Sequence, residues 1–122
     1  MKTVAVIGAS TDRRKFGNKA LRAFTEAGYH TIPITPTHDE VEGQRAYPTV
    51  LDVPGVIDMA TVYVPPEIGE QLLEGLAAKG ITEVWFNPGS ESPALIRKAQ
   101  ALGLRPIQQC SIVGIGMSPS RF

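Results

Sequence analysis

Val4-Ala5-Val6-Ile7-Gly8-Ala9-Ser10 is the stretch that decides the fold, and a polar run at residues 11–17 follows it. Its four apolar residues at the start predict a strand that is buried on both faces, as in a parallel sheet. Gly8 permits a tight turn close to a ligand, because glycine has no Cβ and tolerates positive φ. A helix that begins near Asn18, with Asn18 as its cap, would point free backbone N–H groups at this turn. The stretch therefore predicts an anion site, and the phosphates of a nucleotide-like ligand are the first candidate.

Strand and helix patterns alternate along the rest of the sequence, at intervals of about 25 residues. Further strands are predicted at residues 29–36, 57–64, 83–86 and 104–108. Helices are predicted at residues 18–27, 66–79 and 93–102, each followed by a glycine. The pattern predicts one α/β domain over residues 1–122, a three-layer, doubly wound, Rossmann-like fold with a mostly parallel sheet of about five strands. A polar loop is expected at residues 37–45, and a partly irregular tail at residues 110–122.

The composition argues against several classes of partner. Lys and Arg total 12 and Asp and Glu total 12, so the formal net charge is zero and no nucleic-acid partner is expected. The single cysteine, Cys110, cannot form an internal disulfide, and no His or Cys spacing predicts a metal site. No apolar run approaches the ~20 residues of a membrane span, and the first one is too short for a signal peptide. We therefore expect a cytoplasmic protein without a membrane partner.

Ligands of a doubly wound sheet bind outside the carboxyl ends of its strands. Four loops should meet there, at residues 8–17, 35–38, 63–66 and 87–90. The dinucleotide fingerprint needs glycine at the first, third and sixth positions of the first loop, which are Gly8, Ser10 and Arg13 here. The acid that binds an NAD ribose is also missing, since Thr35 and Pro36 follow the second strand. The sequence thus disfavours NAD, and it contains no Walker lysine.

The first loop offers hydroxyls and cations in place of the missing glycines. Ser10 and Thr11 can donate hydrogen bonds, and Arg13, Arg14 and Lys15 carry positive charge. Such a loop would suit a ligand with several phosphates. The alternative is that the three cations form a solvated surface beside the neighbouring acid, as most runs of charge do.

Four short motifs follow one another along the chain. They are Val-Ile-Gly-Ala-Ser at 6–10, Ile-Pro-Ile-Thr-Pro at 32–36, Val-Tyr-Val-Pro-Pro at 62–66 and Trp-Phe-Asn-Pro-Gly at 85–89. Together they resemble the CoA-binding domain family, small stand-alone proteins similar to the N-terminal domain of the succinyl-CoA synthetase α subunit. The resemblance extends through Cys110 and implies a Rossmann-like domain that binds coenzyme A or an acyl-CoA. Thr35 and Asn87 depart from the asparagine and glutamine that are common in the family, but both can still form hydrogen bonds.

The resemblance also implies which residues touch the ligand. The loop that starts at Ser10 would face the phosphates, Pro36 would lie near the adenine, and residues 64–66 would line the pantetheine path. Asn87 and Gly89 would close the site, and His38 lies on the ligand side of the sheet. The complete predicted set is Gly8, Ala9, Ser10, Thr11, Arg13, Arg14, Lys15, Gly17, Thr35, Pro36, His38, Val64, Pro65, Pro66, Asn87 and Gly89.

No pair of residues predicts catalysis. Ser90 and Ser92 are explained as helix caps, and no base can be identified for them. Cys110 is interpreted as a buried, inert thiol, with a thiol sensitive to CoA disulfides as the alternative, and no histidine lies near it in sequence. The leading hypothesis is a non-catalytic binding or regulatory module for CoA or acyl-CoA. One alternative is a subunit of an NAD(P)-dependent or other nucleotide-binding enzyme that needs a partner domain. Another is a degenerate Rossmann domain for protein assembly, and a homo-oligomer formed through the tail also stays open.

Overall fold

The N-terminal stretch forms an interior strand of a parallel sheet. In the computed structural model, which describes residues 1–122, this strand is β1 (Thr3–Ile7). The elements that follow are α1 (Phe16–Glu26), β2 (His30–Ile34), β3 (Glu40–Val41), β4 (Gln44–Arg45), β5 (Met59–Val62), α2 (Pro66–Ala78), β6 (Glu83–Phe86), α3 (Pro93–Ala101), β7 (Arg105–Ile107) and α4 (Ser111–Gly114). Short 3-10 helices lie at Val50–Asp52 and Pro119–Arg121. Five parallel strands form the main sheet in the order β2-β1-β5-β6-β7, which confirms the predicted Rossmann-like α/β fold.

β1 is buried on both faces because helices cover both sides of the sheet. Val4 and Val6 pack in a cluster with α1 and α4, and Ala5 and Ile7 pack in the opposite cluster with α2 and α3. This division follows from the strand geometry, in which successive side chains point to opposite faces. Both faces of β1 therefore contact an apolar layer. For this reason the strand is a continuous apolar run and does not alternate between apolar and polar residues. No helix of the protein is both long enough and apolar enough to cross a membrane.

Pro33 lies in β2, at one edge of the sheet, as its missing N–H requires. It is paired in register with Val6 of β1. Its carbonyl points outward and accepts a hydrogen bond of 3.0 Å from the N–H of Tyr47. The amide of Thr35 in turn donates to the carbonyl of Tyr47 at 2.9 Å. The proline therefore costs the ladder between β1 and β2 no hydrogen bond.

The predicted start of the first helix is wrong. α1 begins at Phe16, and its N-cap is Lys15, whose side chain makes no capping hydrogen bond. Asn18 lies in the first turn of the helix and is fully buried. The helix can start early because the side chain of Asn18 satisfies groups of the preceding loop instead of capping the helix.

The prediction of a polar loop at residues 37–45 is also wrong, because residues 40–45 form a short hairpin. β3 and β4 pair as an antiparallel hairpin, with Glu42 and Gly43 at its turn. Both turn residues have positive φ, 51° and 75°, as a two-residue hairpin turn requires. Glu-Gly is not one of the usual dipeptides for such turns, and each strand has only two residues, so no local pattern predicts the hairpin.

The tail at residues 110–122 is more regular than expected. It forms α4 and the second 3-10 helix, and Ile112 is fully buried against α1. Ile115, Met117 and Phe122 are partly buried against the same cluster. The apolar residues of the tail thus hold it against α1 of the same domain.

Gly17 brings α1 against the end of β1. A Cβ at this position would lie 2.2 Å from the carbonyl oxygen of Gly8, which is too close for any side chain. A Cβ at Gly75 in α2 would lie 3.7 Å from the side chain of Leu51, an ordinary contact distance. A side chain therefore cannot fit at Gly17 unless the backbone moves, whereas a methyl group fits at Gly75 without any movement.

Gly17→Ala should lower the free energy of unfolding by about 1–3 kcal/mol, because the strand end and the helix must separate to admit the methyl group. Gly75→Ala is the matched control and should stabilise the protein by up to about 1 kcal/mol, since alanine favours a helix more than glycine does. Urea unfolding followed by circular dichroism measures both values. Equal changes in the two variants would contradict this account of Gly17.

Candidate functional site

The largest cavity, about 660 Å³, lies at the carboxyl ends of the strands. Predicted residues that line it are Gly8, Ala9, Ser10, Lys15, Gly17, His38, Val64, Pro65, Asn87 and Gly89. Lining residues absent from the predicted set are Phe16, Thr37, Tyr63, Pro88, Ser90 and Cys110. All of these except Cys110 belong to the four loops that the sequence assigned to this edge. The signal for them was therefore the position of the loops, and only the choice of side chains within the loops was incomplete.

A second cavity of about 450 Å³ adjoins the first and has an apolar lining. The two cavities share Gly8 and Val64. We call the second cavity the apolar groove; its walls include Ile34, Pro36, Pro48, Leu51, Ile68 and Leu72. Of the predicted set, Pro36 lies in this groove and not in the larger cavity. A compartment that carries several polar side chains and the apolar groove thus meet at the first turn of the chain.

Five predicted residues line neither compartment: Thr11, Arg13, Arg14, Thr35 and Pro66. Thr35 is buried, and its hydroxyl lies 3.0 Å from that of Thr37. Pro66 is the first residue of α2, as its missing N–H favours. The structure therefore places these residues outside the lining of both cavities, with Thr11, Arg13 and Arg14 exposed at the surface.

The loop at residues 10–15, which we call the phosphate loop, presents backbone donors with no partner in the protein. The N–H groups of Gly8 and Ala9 both donate to the carbonyl of Ile34, but those of Ser10 and Thr11 have no acceptor. At the start of α1, the N–H groups of residues 16 and 17 are also without an acceptor. Unpaired N–H groups at a helix start attract anions, because the positive end of the helix dipole adds to them.

The three cations of the phosphate loop have different surroundings. Arg14 binds Asp12 through two side-chain hydrogen bonds of 3.1 and 3.0 Å, and these hold the pKa of that carboxyl at about 2. Arg13 Nε lies 3.5 Å from a carboxylate oxygen of Glu42. Lys15 has no carboxylate within ion-pair distance, and of the three only Lys15 lines the cavity. Lys15 is therefore the cation that is available to an anionic ligand.

His38 adds a second polar group to the larger cavity. Its Nδ1 lies 2.9 Å from the hydroxyl of Thr37, and its Nε2 has no hydrogen-bond partner in the protein. One ring nitrogen is thus fixed by a neighbour while the other is free to meet a ligand. Both residues follow β2, so they belong to the second of the predicted loops.

A buried polar network, which we call the cavity floor, adjoins the larger cavity, and two of its residues, Tyr63 and Asn87, line that cavity. Asn87 Nδ2 donates to the hydroxyl of Thr61 at 2.7 Å and to the carbonyl of Val62 at 2.9 Å, and its Oδ1 accepts from the N–H of Ser111 at 2.8 Å. The hydroxyl of Ser111 lies 2.7 Å from that of Thr61 and 3.1 Å from that of Tyr63. Burial raises the pKa of the Tyr63 phenol. The network fixes α4 to β5 and β6, and it engages the whole amide of Asn87.

Comparison with known proteins identifies relatives of this domain. A family model described as CoA binding domain matches residues 2–116. The α subunit of an ADP-forming acetate–CoA ligase I from Pyrococcus furiosus is 35% identical over 137 aligned residues, covering 99% of this chain and 29% of that subunit. An ADP-forming acetate–CoA ligase from Methanocaldococcus jannaschii is 36% identical over 80 residues, covering 66% of this chain and 11% of that protein.

Solved structures with the same fold include both a small protein and a large enzyme. A conserved hypothetical protein from Pyrococcus furiosus superimposes with a TM-score of 0.87 and 30% identity, over 93% of this chain and 99% of that one. The apo form of an acetyl-coenzyme A synthetase from Ca. Korarchaeum cryptofilum gives a TM-score of 0.77 and 30% identity, over 88% and 26% of the two chains. This chain therefore spans less than a third of the CoA ligases that it matches.

Ser111→Ala should lower the free energy of unfolding by about 1–3 kcal/mol, because it removes the hydrogen-bond partner of the Tyr63 hydroxyl and one of the two partners of the buried Thr61 hydroxyl. Ser118→Ala is the control, since that hydroxyl meets only Ser120 at the surface, and it should change stability by less than about 0.5 kcal/mol. Thermal and urea unfolding measure both. The account of the floor would be contradicted if the two variants were equally stable.

Proposed function

The chain belongs to the CoA-binding domain family, and we propose that it binds coenzyme A or an acyl-CoA across the two cavities at the carboxyl edge of its sheet. The observation that carries this proposal is the phosphate loop, where unpaired N–H groups and the unpaired cation of Lys15 border one cavity. A ligand with several phosphates supplies the negative charge that such a loop attracts.

The two compartments match the two kinds of chemistry in CoA. The pyrophosphate would lie against Ser10 and the start of α1, with Lys15 and His38 nearby. The adenine would enter the apolar groove beside Pro36, and the pantetheine would run past Val64 and Pro65. Gly8 supports this arrangement, because it lies where the compartments meet. Its φ of 88° favours glycine, and a Cβ there would lie only 3.1 Å from the side chain of Val64 and crowd the junction.

We propose a binding or regulatory role without catalysis by this chain. The hydroxyls at the cavity floor form hydrogen bonds with one another and with Asn87, and none of them contacts a carboxylate or an imidazole that could serve as a base. The names of the ligase relatives refer to proteins of which this chain covers 11% to 29%. We therefore do not propose the ligase activity of those proteins for this chain.

Titration with CoA, acetyl-CoA, NAD and NADP separates this proposal from its alternatives. A ligand at 100 times its dissociation constant should stabilise the fold by about 2.7 kcal/mol, which a thermal-shift assay detects. We expect CoA or acetyl-CoA to produce this shift and NAD to produce none. A shift with NAD alone would overturn the proposal, and no shift with any of the four would favour a role in protein assembly.

Lys15→Ala should weaken CoA binding about tenfold, or ~1.4 kcal/mol, because it removes the unpaired cation at the cavity. Arg14→Ala is the matched control, since that guanidinium is held by Asp12 and lines neither compartment, and it should change affinity less than about twofold. Isothermal titration calorimetry at one salt concentration measures both. Equal losses would mean that the loop attracts CoA by its total charge rather than through Lys15.

A further inference from the structure

We propose that Arg22 is a positioning residue that holds the phosphate loop in its binding conformation and couples it to residues 118–122, which we call the C-terminal segment. The inference rests on the proposed function, since it concerns affinity at the same site. It goes further by naming a group that touches no ligand and by linking the site to a distant part of the chain.

The first link is the buried amide of Asn18. Its Nδ2 donates to the carbonyl of Ser10 at 2.8 Å and to a carboxylate oxygen of Glu42 at 3.1 Å. Its Oδ1 accepts from Nε of Arg22 at 2.7 Å. Every hydrogen-bonding position that fixes the orientation of this amide is thus occupied, and Arg22 supplies one of the three partners.

The second link is the guanidinium of Arg22 itself. One of its terminal nitrogens donates to the carbonyl of Arg13 at 2.8 Å and to a backbone oxygen of Phe122 at 3.0 Å. Asn18 and Arg22 are four residues apart in α1, so they lie on the same face of the helix. From this face they hold two carbonyls of the phosphate loop, those of Ser10 and Arg13.

Holding a carbonyl also orients the amide that follows it. In a trans peptide unit the C=O and the next N–H point in opposite directions. The bond from Asn18 to the carbonyl of Ser10 therefore turns the N–H of Thr11 away from the helix, and that N–H has no acceptor in the protein. Arg22 thus acts on a donor of the phosphate loop without being near the ligand.

The C-terminal segment meets Arg22 on its other side. The ring of Phe122 lies 5.8 Å from the guanidinium of Arg22 and 5.4 Å from that of Arg121. Arg121 also forms an ion pair of 2.5 Å with Glu26 near the end of α1. The segment therefore packs along α1 through several contacts. One of its contacts is with Arg22, and the same Arg22 nitrogen that binds Phe122 also binds the carbonyl of Arg13 in the phosphate loop.

Arg22→Lys tests this role, because lysine keeps the charge but has one ammonium where the guanidinium reaches three acceptors. We expect CoA to bind about five- to tenfold more weakly, with faster amide hydrogen exchange at residues 10–15. Arg97→Lys is the matched control: Arg97 is exposed on α3, makes no side-chain hydrogen bond or ion pair, and should leave both measurements unchanged.

Phe122→Ala provides a second test that keeps Arg22 in place. Removing the ring should weaken CoA binding about two- to fivefold, and CoA should slow amide exchange in the C-terminal segment of the unchanged protein, because coupling is reciprocal. Unchanged CoA affinity in Arg22→Lys, or exchange in the loop equal to that of the control, would overturn the inference. If the unchanged protein does not bind CoA but Arg22→Lys loosens the loop, the proposed function fails while the positioning role stands.

Discussion

The close approach of Gly17 to the carbonyl of Gly8 is the constraint on which the rest of the site depends. It brings the start of α1 against the end of β1, so that the intervening residues must leave the sheet as a loop and return. The free N–H groups at the two ends of this loop consequently lie next to one cavity. A side chain at Gly17 would separate the strand from the helix and move those donors apart.

This constraint also explains how the chain differs from a dinucleotide-binding domain. In the dinucleotide fingerprint, the last glycine permits close packing of helix and strand five residues after the first one. Arg13 occupies that position here, and Gly17 performs the packing four residues later. The longer turn has room for additional charges, two of which are paired with carboxylates and one of which is exposed to the cavity. The loop that lacks the glycines of an NAD site therefore carries a different set of free groups, namely unpaired N–H donors and the cation of Lys15.

The sequence was sufficient for the sheet and for the edge at which the site lies. The apolar run of β1, the Pro-Pro start of α2 and the glycines after the helices each have one simple physical cause, which acts locally. The partners of polar side chains could not be predicted in this way. Asparagine is a residue type that often caps helices, but the side-chain amide of Asn18 donates hydrogen bonds to Ser10 and Glu42 instead. Glu42 is 24 residues away, in a hairpin that local propensity does not predict.

The same limit applies to the cations of the phosphate loop and to the tail. Arg13, Arg14 and Lys15 are equivalent in sequence, and only the folded chain shows that carboxylates occupy the first two. The tail has scattered apolar residues without helical periodicity over any long stretch. Its attachment to α1 depends on tertiary contacts such as those of Phe122. The sequence thus predicted that this loop is positively charged, but it did not predict which of the three cations has no carboxylate partner.

The most direct test of the central claim is a titration of the ¹⁵N-labelled protein with CoA, followed by the chemical shifts of its backbone amides. The account predicts that the largest shifts occur at residues 10, 16 and 17, where donors without a protein partner border the cavity. Shifts confined to the opposite edge of the sheet, or to α3 and β7, would contradict it.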